Sequence, residues 1–258
     1  MFSLPTTGFA QWRDLVLNLV AKEVKLRHQG AALGFVWSLG NPIVVTLTYY
    51  VVFTYIMPSN QDRFALHLIT GVLHWLLFSQ LMTQSSEWLV NNHTIIKKMR
   101  FPRILIPASC ILTVGVFWLV ALAVYACLYH MLGGVINPAI AWYPVIVLSL
   151  ISLTVGIGLV LSVVQVMVRD VKHLVDVFVP LLFWFTPIVW VTASLPSQVQ
   201  AIVALNPIAP YFNAITLILH DGVSPSTGVL VYCVSVGLIS LAIGLLTFRK
   251  VEQVVDYL

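Results

Sequence analysis

Charge is what this chain has least of. Only 9% of its 258 residues are Asp, Glu, Lys or Arg, against roughly a quarter in an ordinary soluble domain. Hydrophobic residues make up 60%, and the mean hydropathy is +0.97. That balance excludes a soluble globular protein and makes the chain an integral membrane protein. Cysteine is scarce: Cys110, Cys127 and Cys233 all lie within apolar runs and form neither a disulfide framework nor a zinc pattern. No Gly-Lys dipeptide occurs, so there is no phosphate-binding loop and the chain holds no ATP of its own. H-E-x-x-H and G-x-S-x-G are missing too, which leaves no metal site and no catalytic residue to nominate. No pair of acids falls in the middle of an apolar run, and a proton- or sodium-coupled carrier ordinarily needs such acids. The first 30 residues lack the short apolar core and small-residue cleavage site of a signal peptide.

What is present is length of apolar run. About 20 apolar residues cross a bilayer, and six segments qualify: 33–57, 66–90, 104–132, 142–168, 177–191 and 228–248, the fifth being the shortest. The net charge of +4 is distributed by side rather than by patch, and it signals no nucleic acid. Arg13, Lys22, Lys25 and Arg27 precede the first segment. Lys97, Lys98, Arg100 and Arg103 follow the second, Arg169 and Lys172 follow the fourth, and Arg249 and Lys250 end the sixth. All of these fall on one side and only Arg63 on the other, so the positive-inside rule makes both termini cytoplasmic. The expected fold is a single all-α transmembrane domain, 1–258, with six spans.

Residues 9–30 read as an amphipathic helix on the membrane surface. Trp12, Leu15, Val16 and Leu19 share a face, with Arg13, Asn18, Lys22 and Lys25 largely away from it. Glu23 intrudes on the apolar side, where Arg27 is its i+4 neighbour. Such a helix is either a surface anchor or a lever that feels a cytoplasmic partner. The second span carries Gln80, Gln84, Glu87 and Asn91 along one face. A ridge like that belongs against protein or water, as interhelical hydrogen bonds or as a vestibule wall. In the connection 91–103, Asn92, Ile95, Ile96, Lys97, Lys98 and Arg100 precede a Phe-Pro stop. It is either a plain basic loop that sets topology or a short helix that docks on another protein.

Small residues in the fourth span (Ser152, Gly156, Gly158) and the sixth (Ser240, Gly244) suit close helix packing. The fifth span is aromatic, with Phe178, Phe183, Trp184 and Phe185, and Pro180 and Pro187 should kink or end it. The outer connection that follows has no Lys or Arg. Within 195–220 it holds two short apolar pieces divided by Asn206-Pro207. Neither is long enough to cross, so both read as re-entrant half-helices. In the first span, Gly40-Asn41-Pro42 interrupts the apolar run. Beyond it Thr46, Tyr49 and Phe53 fall on one helical face with Tyr50 beside them. Hydroxyls and flat rings there line a conduit or simply pack. Phe178 and Phe185 would then form the opposite wall.

Arg27-His28-Gln29-Gly30 through Leu33-Gly34, Trp37 and Pro42 resembles the R-Y-x-x-(S/T)-x-L-G-x-x-W-x-x-x-x-P opening of the membrane subunit of type-2 ABC exporters for polysaccharides. Here His28 stands where that family commonly has Tyr. Met99-Arg100-Phe101-Pro102-Arg103 is similar to its F-P-R step before the third span, and Val168-Arg169-Asp170-Val171 to its R-D-(V/I) turn. Phe183-Trp184-Phe185-Thr186-Pro187-Ile188 and Leu205-Asn206-Pro207 look like its fifth-span exit and re-entrant break. The matches run in order along nearly the whole chain. The resemblance implies a half-transporter in the bacterial inner membrane: two copies of this chain with two ATP-binding cassette subunits that bind ATP and Mg. The cargo it implies is a lipid-linked polysaccharide of O-antigen, capsule or teichoic-acid type. It makes 92–100 the coupling helix and the amphipathic segment, with Trp12, Glu23 and Arg27, the interface helix. The alternatives are an ABC permease for a small lipid or drug, and a membrane enzyme or passive channel.

Overall fold

The computed structural model describes residues 9–28, 40, 44, 48, 51–52, 55, 64–98, 101–131, 134, 137–190 and 195–252. Among them there is no strand. The helices are α1 (Phe9–His28), α2 (Phe64–Ser85), α3 (His93–Lys98), α4 (Leu105–Met131), α5 (Tyr143–Met167), α6 (Val171–Trp184), α7 (Ser197–Ala204), α8 (Ala209–Thr216) and α9 (Thr227–Glu252). A 3-10 turn, Pro138–Trp142, leads into α5, and a π turn, Leu217–Asp221, ends α8.

By length and composition, four helical stretches can cross a membrane: Leu66–Ser85, Leu105–His130, Pro138–Met167 and Thr227–Lys250. They correspond to the second, third, fourth and sixth apolar segments. The pair Ser197–Ala204 and Ala209–Asp221 passes the same test jointly but is bent by 108°, as a broken span or a re-entrant loop would be. The fifth segment is α6, 14 residues long, about 21 Å at the usual rise and short of a bilayer core by itself. Pro180 sits inside it and removes one ladder bond. Most of the first segment, 33–57, lies outside the described residues.

Proline and asparagine punctuate these helices as their chemistry requires. The Asn137 side chain accepts from Ala139 N at 2.9 Å and caps the 3-10 turn. Prolines occupy the first turns of α5 and α8, where no backbone donor is lost. Asn206, between α7 and α8, is buried and fully used. It donates to Phe185 O at 3.0 Å and to Thr186 Oγ1 at 3.1 Å, and accepts from Ile208 N at 3.0 Å. The π turn closes on Gly222, whose φ of 71° is the left-handed region that favours glycine.

Packing sorts the helices into centre and rim. α2 and α5 are the most buried, whereas α4 and α9 bury little of their surface. α5 and α9 run side by side at backbone contact distance. A Cβ on Gly237 would meet Ser149 O at 2.6 Å, and one on Gly244 would meet Gly156 Cα at 2.8 Å. Ser240 Oγ donates to Leu153 O at 2.9 Å between them. These pairs advance together along both helices, so α5 and α9 are parallel. Small residues are what permit such an approach where lipid offers no hydrophobic drive between helices. Buried polar groups in the middle of α2 are paired: His74 bonds Thr70 O at 2.7 Å and Tyr143 OH at 2.8 Å, and Thr70 Oγ1 bonds Tyr125 OH at 2.7 Å. Nearer its start, the buried His67 Nε2 has no hydrogen-bond partner among the described residues. The His74 imidazole is therefore a hydrogen-bonded core group, which is how a polar ring is accommodated in such a bundle.

Candidate functional site

At one end of the bundle, α1, the foot of α2, α3 and the α5–α6 turn come together. The foot of α2 unwinds past Ser85 into a run of turns, 86–92. Asn92 then starts α3. Its carbonyl accepts from Ile95 N and Ile96 N, both at 3.0 Å. Its buried amide donates to Trp88 O at 3.0 Å and accepts from Lys22 Nζ of α1 at 3.4 Å. One residue thus braces the turns below α2, begins α3 and touches α1.

α3 is a single short helix with two faces. Ile95 and Ile96 are half-buried, and Ile96 packs on the cluster of Trp88, Leu89, Cys110, Leu159 and Phe248. Lys97 and Lys98 are exposed at its C-terminal turn, where cations complement the helix dipole. Arg100 lies outside the described residues. α1 packs along α4. Trp12, Leu15 and Val16 are half-buried and Leu19 is buried, while Arg13, Asn18, Lys22 and Lys25 are exposed. The Arg27 side chain falls outside the described ones.

The polar ridge of α2 opens on a cleft of about 170 Å³ lined by Glu23, Gln84, Glu87, Trp88, Asn91, Asn92 and Cys110. Glu23 enters it from α1, which explains a carboxylate on the apolar side of that helix. Glu87 also forms an ion pair with Lys172 at the start of α6. That hydrogen bond holds the lysine above its ordinary pKa, and the charge of Asp176 one turn along adds to the effect. Gln165 braces the turn beneath: its amide donates to Arg169 O at 3.0 Å and accepts from Lys172 N at 2.8 Å. With side chains 39% and 32% exposed, the pair is worth about 0.2–1 kcal/mol. Its value is in where it sits rather than in stability.

The aromatic residues expected to line a conduit divide in two. Thr46, Tyr49, Tyr50 and Phe53 lie outside the described residues. Phe178 and Phe185 are 58% and 49% exposed. They share the outer face of α6 with Leu174, Val177, Leu181 and Trp184, opposite buried Val171, Val175, Val179 and Phe183. The contacts of Gln165 and Lys172 are not legible in the sequence, where Lys172 is visible only as a topology charge. Glu87 was visible as part of the ridge.

Four helical stretches long and apolar enough to cross a membrane mark the chain as an integral membrane protein. The chain belongs to the ABC-2 type transporter family, whose profile matches residues 14–220. It is 28% identical over 242 residues to the O-antigen export system permease protein RfbA of Klebsiella pneumoniae, covering 93% of this chain and 92% of that protein. To the protein of the same name from Myxococcus xanthus it is 26% identical, over 90% of each. The polysialic acid transport protein KpsM of Escherichia coli is 24% identical over 96% of this chain and 97% of its own length.

Proposed function

We propose that this chain is the permease subunit of an ATP-driven exporter that moves a lipid-linked polysaccharide out across the bacterial inner membrane. The observation that carries the reading is similarity along nearly full length to permeases named for O-antigen export and polysialic acid transport. Two copies of the chain pair with two ATP-binding cassette subunits, and it is those subunits that bind ATP and Mg; this chain carries no phosphate-binding loop. Six spans place both termini in the cytoplasm. α3 is the coupling helix: its exposed Lys97 and Lys98 meet the ATPase subunit, and its half-buried isoleucines pass the displacement into the bundle. α1 is the interface helix on the inner leaflet, and α7 and α8 cap the exit as re-entrant halves. Thr46, Tyr49, Tyr50 and Phe53 line one wall of the conduit, with Phe178 and Phe185 opposite.

Deleting the gene should remove polymer from the cell surface and leave lipid-linked polymer inside. Tagged protein should co-purify with an ATP-binding cassette subunit. Intact surface polymer in the deletion strain would sink the reading.

A further inference from the structure

Lys172 stands between two carboxylates that belong to different elements. Glu87, two residues past the end of α2 and six before His93, the first residue of α3, is bonded to it. Asp176, one turn further along α6, is exposed and at the i+4 spacing at which a lysine reaches a carboxylate on its own helix. Its charge already acts on Lys172. The bond to Glu87 joins the segment that leads into α3 to the helix that carries Phe178 and ends at Phe185. The Lys172 backbone is held separately by Gln165, so the side chain can change partner without unmaking the turn.

We infer that Lys172 is a two-position latch. In this structure it holds α6 to the foot of α2. When α3 is displaced, the ammonium leaves Glu87 and pairs with Asp176, freeing α6 from α2. Lys172 is a positioning residue that acts through these two helices and touches no cargo. A half-exposed pair suits the task, because water compensates both charges during the exchange. The choice of Asp176 over solvent keeps the released state defined, and two defined arrangements are what a coupling element requires. The inference rests on the coupling role given above to α3.

The test separates a latch from a fixed strut and is read on ATP hydrolysis by the purified complex with its ATPase subunit, with no polymer required. Glu87→Gln and Lys172→Met should each change the hydrolysis rate by up to about fivefold, the most that such a part-exposed pair is worth, at unchanged membrane abundance. The charge swap, Glu87→Lys with Lys172→Glu, restores the bond between helices. It also sets residue 172 against Asp176, so the rate should stay at the single-variant level. Adding Asp176→Lys to the swap restores both positions and should return the rate to that of the wild type. A wild-type rate in the two-residue swap alone would make the pair a strut and overturn the latch, as would unchanged rates in both single variants. Polymer that persists at the surface of a deletion strain removes the polysaccharide reading and leaves this measurement standing.

Discussion

Lys22 of α1 donates to the side chain of Asn92, the residue that starts α3, across 3.4 Å. The bond is long, and Lys22 is exposed while Asn92 is buried. The two partners therefore contribute unequally. Asn92 also satisfies Trp88 O and opens α3 with its own carbonyl, whereas Lys22 contributes a screened surface contact.

Asn92→Ala should accordingly lower stability by about 1–2 kcal/mol through the Trp88 carbonyl left unpaired, while the backbone carbonyl that opens α3 is kept. Lys22→Met should cost no more than roughly 0.5 kcal/mol. Thermal unfolding in detergent reads the difference as a melting temperature lower by roughly 2–4 °C per kcal/mol for the asparagine variant. Equal shifts in the two variants would mean that the contact between α1 and α3, and not the junction within Asn92, is what holds this end together.

The glycines make a second contrast. A Cβ on Gly156 would fall on the backbone of Ser240 and Leu241, and one on Gly244 on the backbone of Gly156. Gly156→Ala and Gly244→Ala should each force α5 and α9 apart at a cost of about 1–3 kcal/mol, seen as lower membrane abundance. Gly115, in the middle of α4, has nothing within 4 Å of an added Cβ. Gly115→Ala should gain up to about 1 kcal/mol from helix propensity. Gly156→Ala at wild-type abundance would show that the two helices separate at little cost.

This contrast also marks what the sequence carries. Ser152, Gly156, Ser240 and Gly244 are legible as small residues suited to a close approach. That Gly156 meets Gly244 is a matter of register between distant helices. The polar ridge of the second apolar segment is legible because Gln84, Glu87 and Asn91 recur at the spacing of a helix, although the last two lie in the turns past α2. What it meets, a cleft shared with Glu23 and an ion pair to Lys172, 85 residues beyond Glu87, is not legible. Periodicity reports a face and not what it meets. Asn206 is readable as half of an Asn-Pro break, yet its main work is to hold Phe185, Thr186 and Ile208. The long helices were plain because lipid demands continuous apolar runs. The turns 86–92 were not, since hydrophobicity continues through Trp88, Leu89 and Val90 while the backbone unwinds.

Lys97 and Lys98 give a test of coupling. Both are exposed on the last turn of α3, and no buried residue belongs to that helix. Replacing both with Glu reverses a favourable interaction with the helix dipole, at a cost of about 0.3–1 kcal/mol per site, small enough to leave insertion intact. The double variant should hydrolyse ATP in its complex while export falls. Unchanged export in that variant takes both lysines out of the mechanism.

The conduit wall can be tested on α6, because its two faces give a built-in control. Phe183 is buried and stacks edge-on to Trp75 with ring centroids 5.3 Å apart. Phe183→Ala should cost about 3–5 kcal/mol and reduce the amount of protein in the membrane. Phe178 and Phe185 face outward, so Phe178→Ala and Phe185→Ala should leave abundance near that of the wild type. If the outer face touches the moving polymer, both lower export per transporter molecule, and Tyr49→Ala and Phe53→Ala, whose positions lie outside the described residues, do the same. A sugar passing over an aromatic wall loses stacking surface with each ring removed, so Phe178→Ala combined with Phe185→Ala should export less than either alone. Wild-type export per molecule in that double variant would assign the face to lipid or to packing between copies. The opposite wall would then have to be sought on another helix.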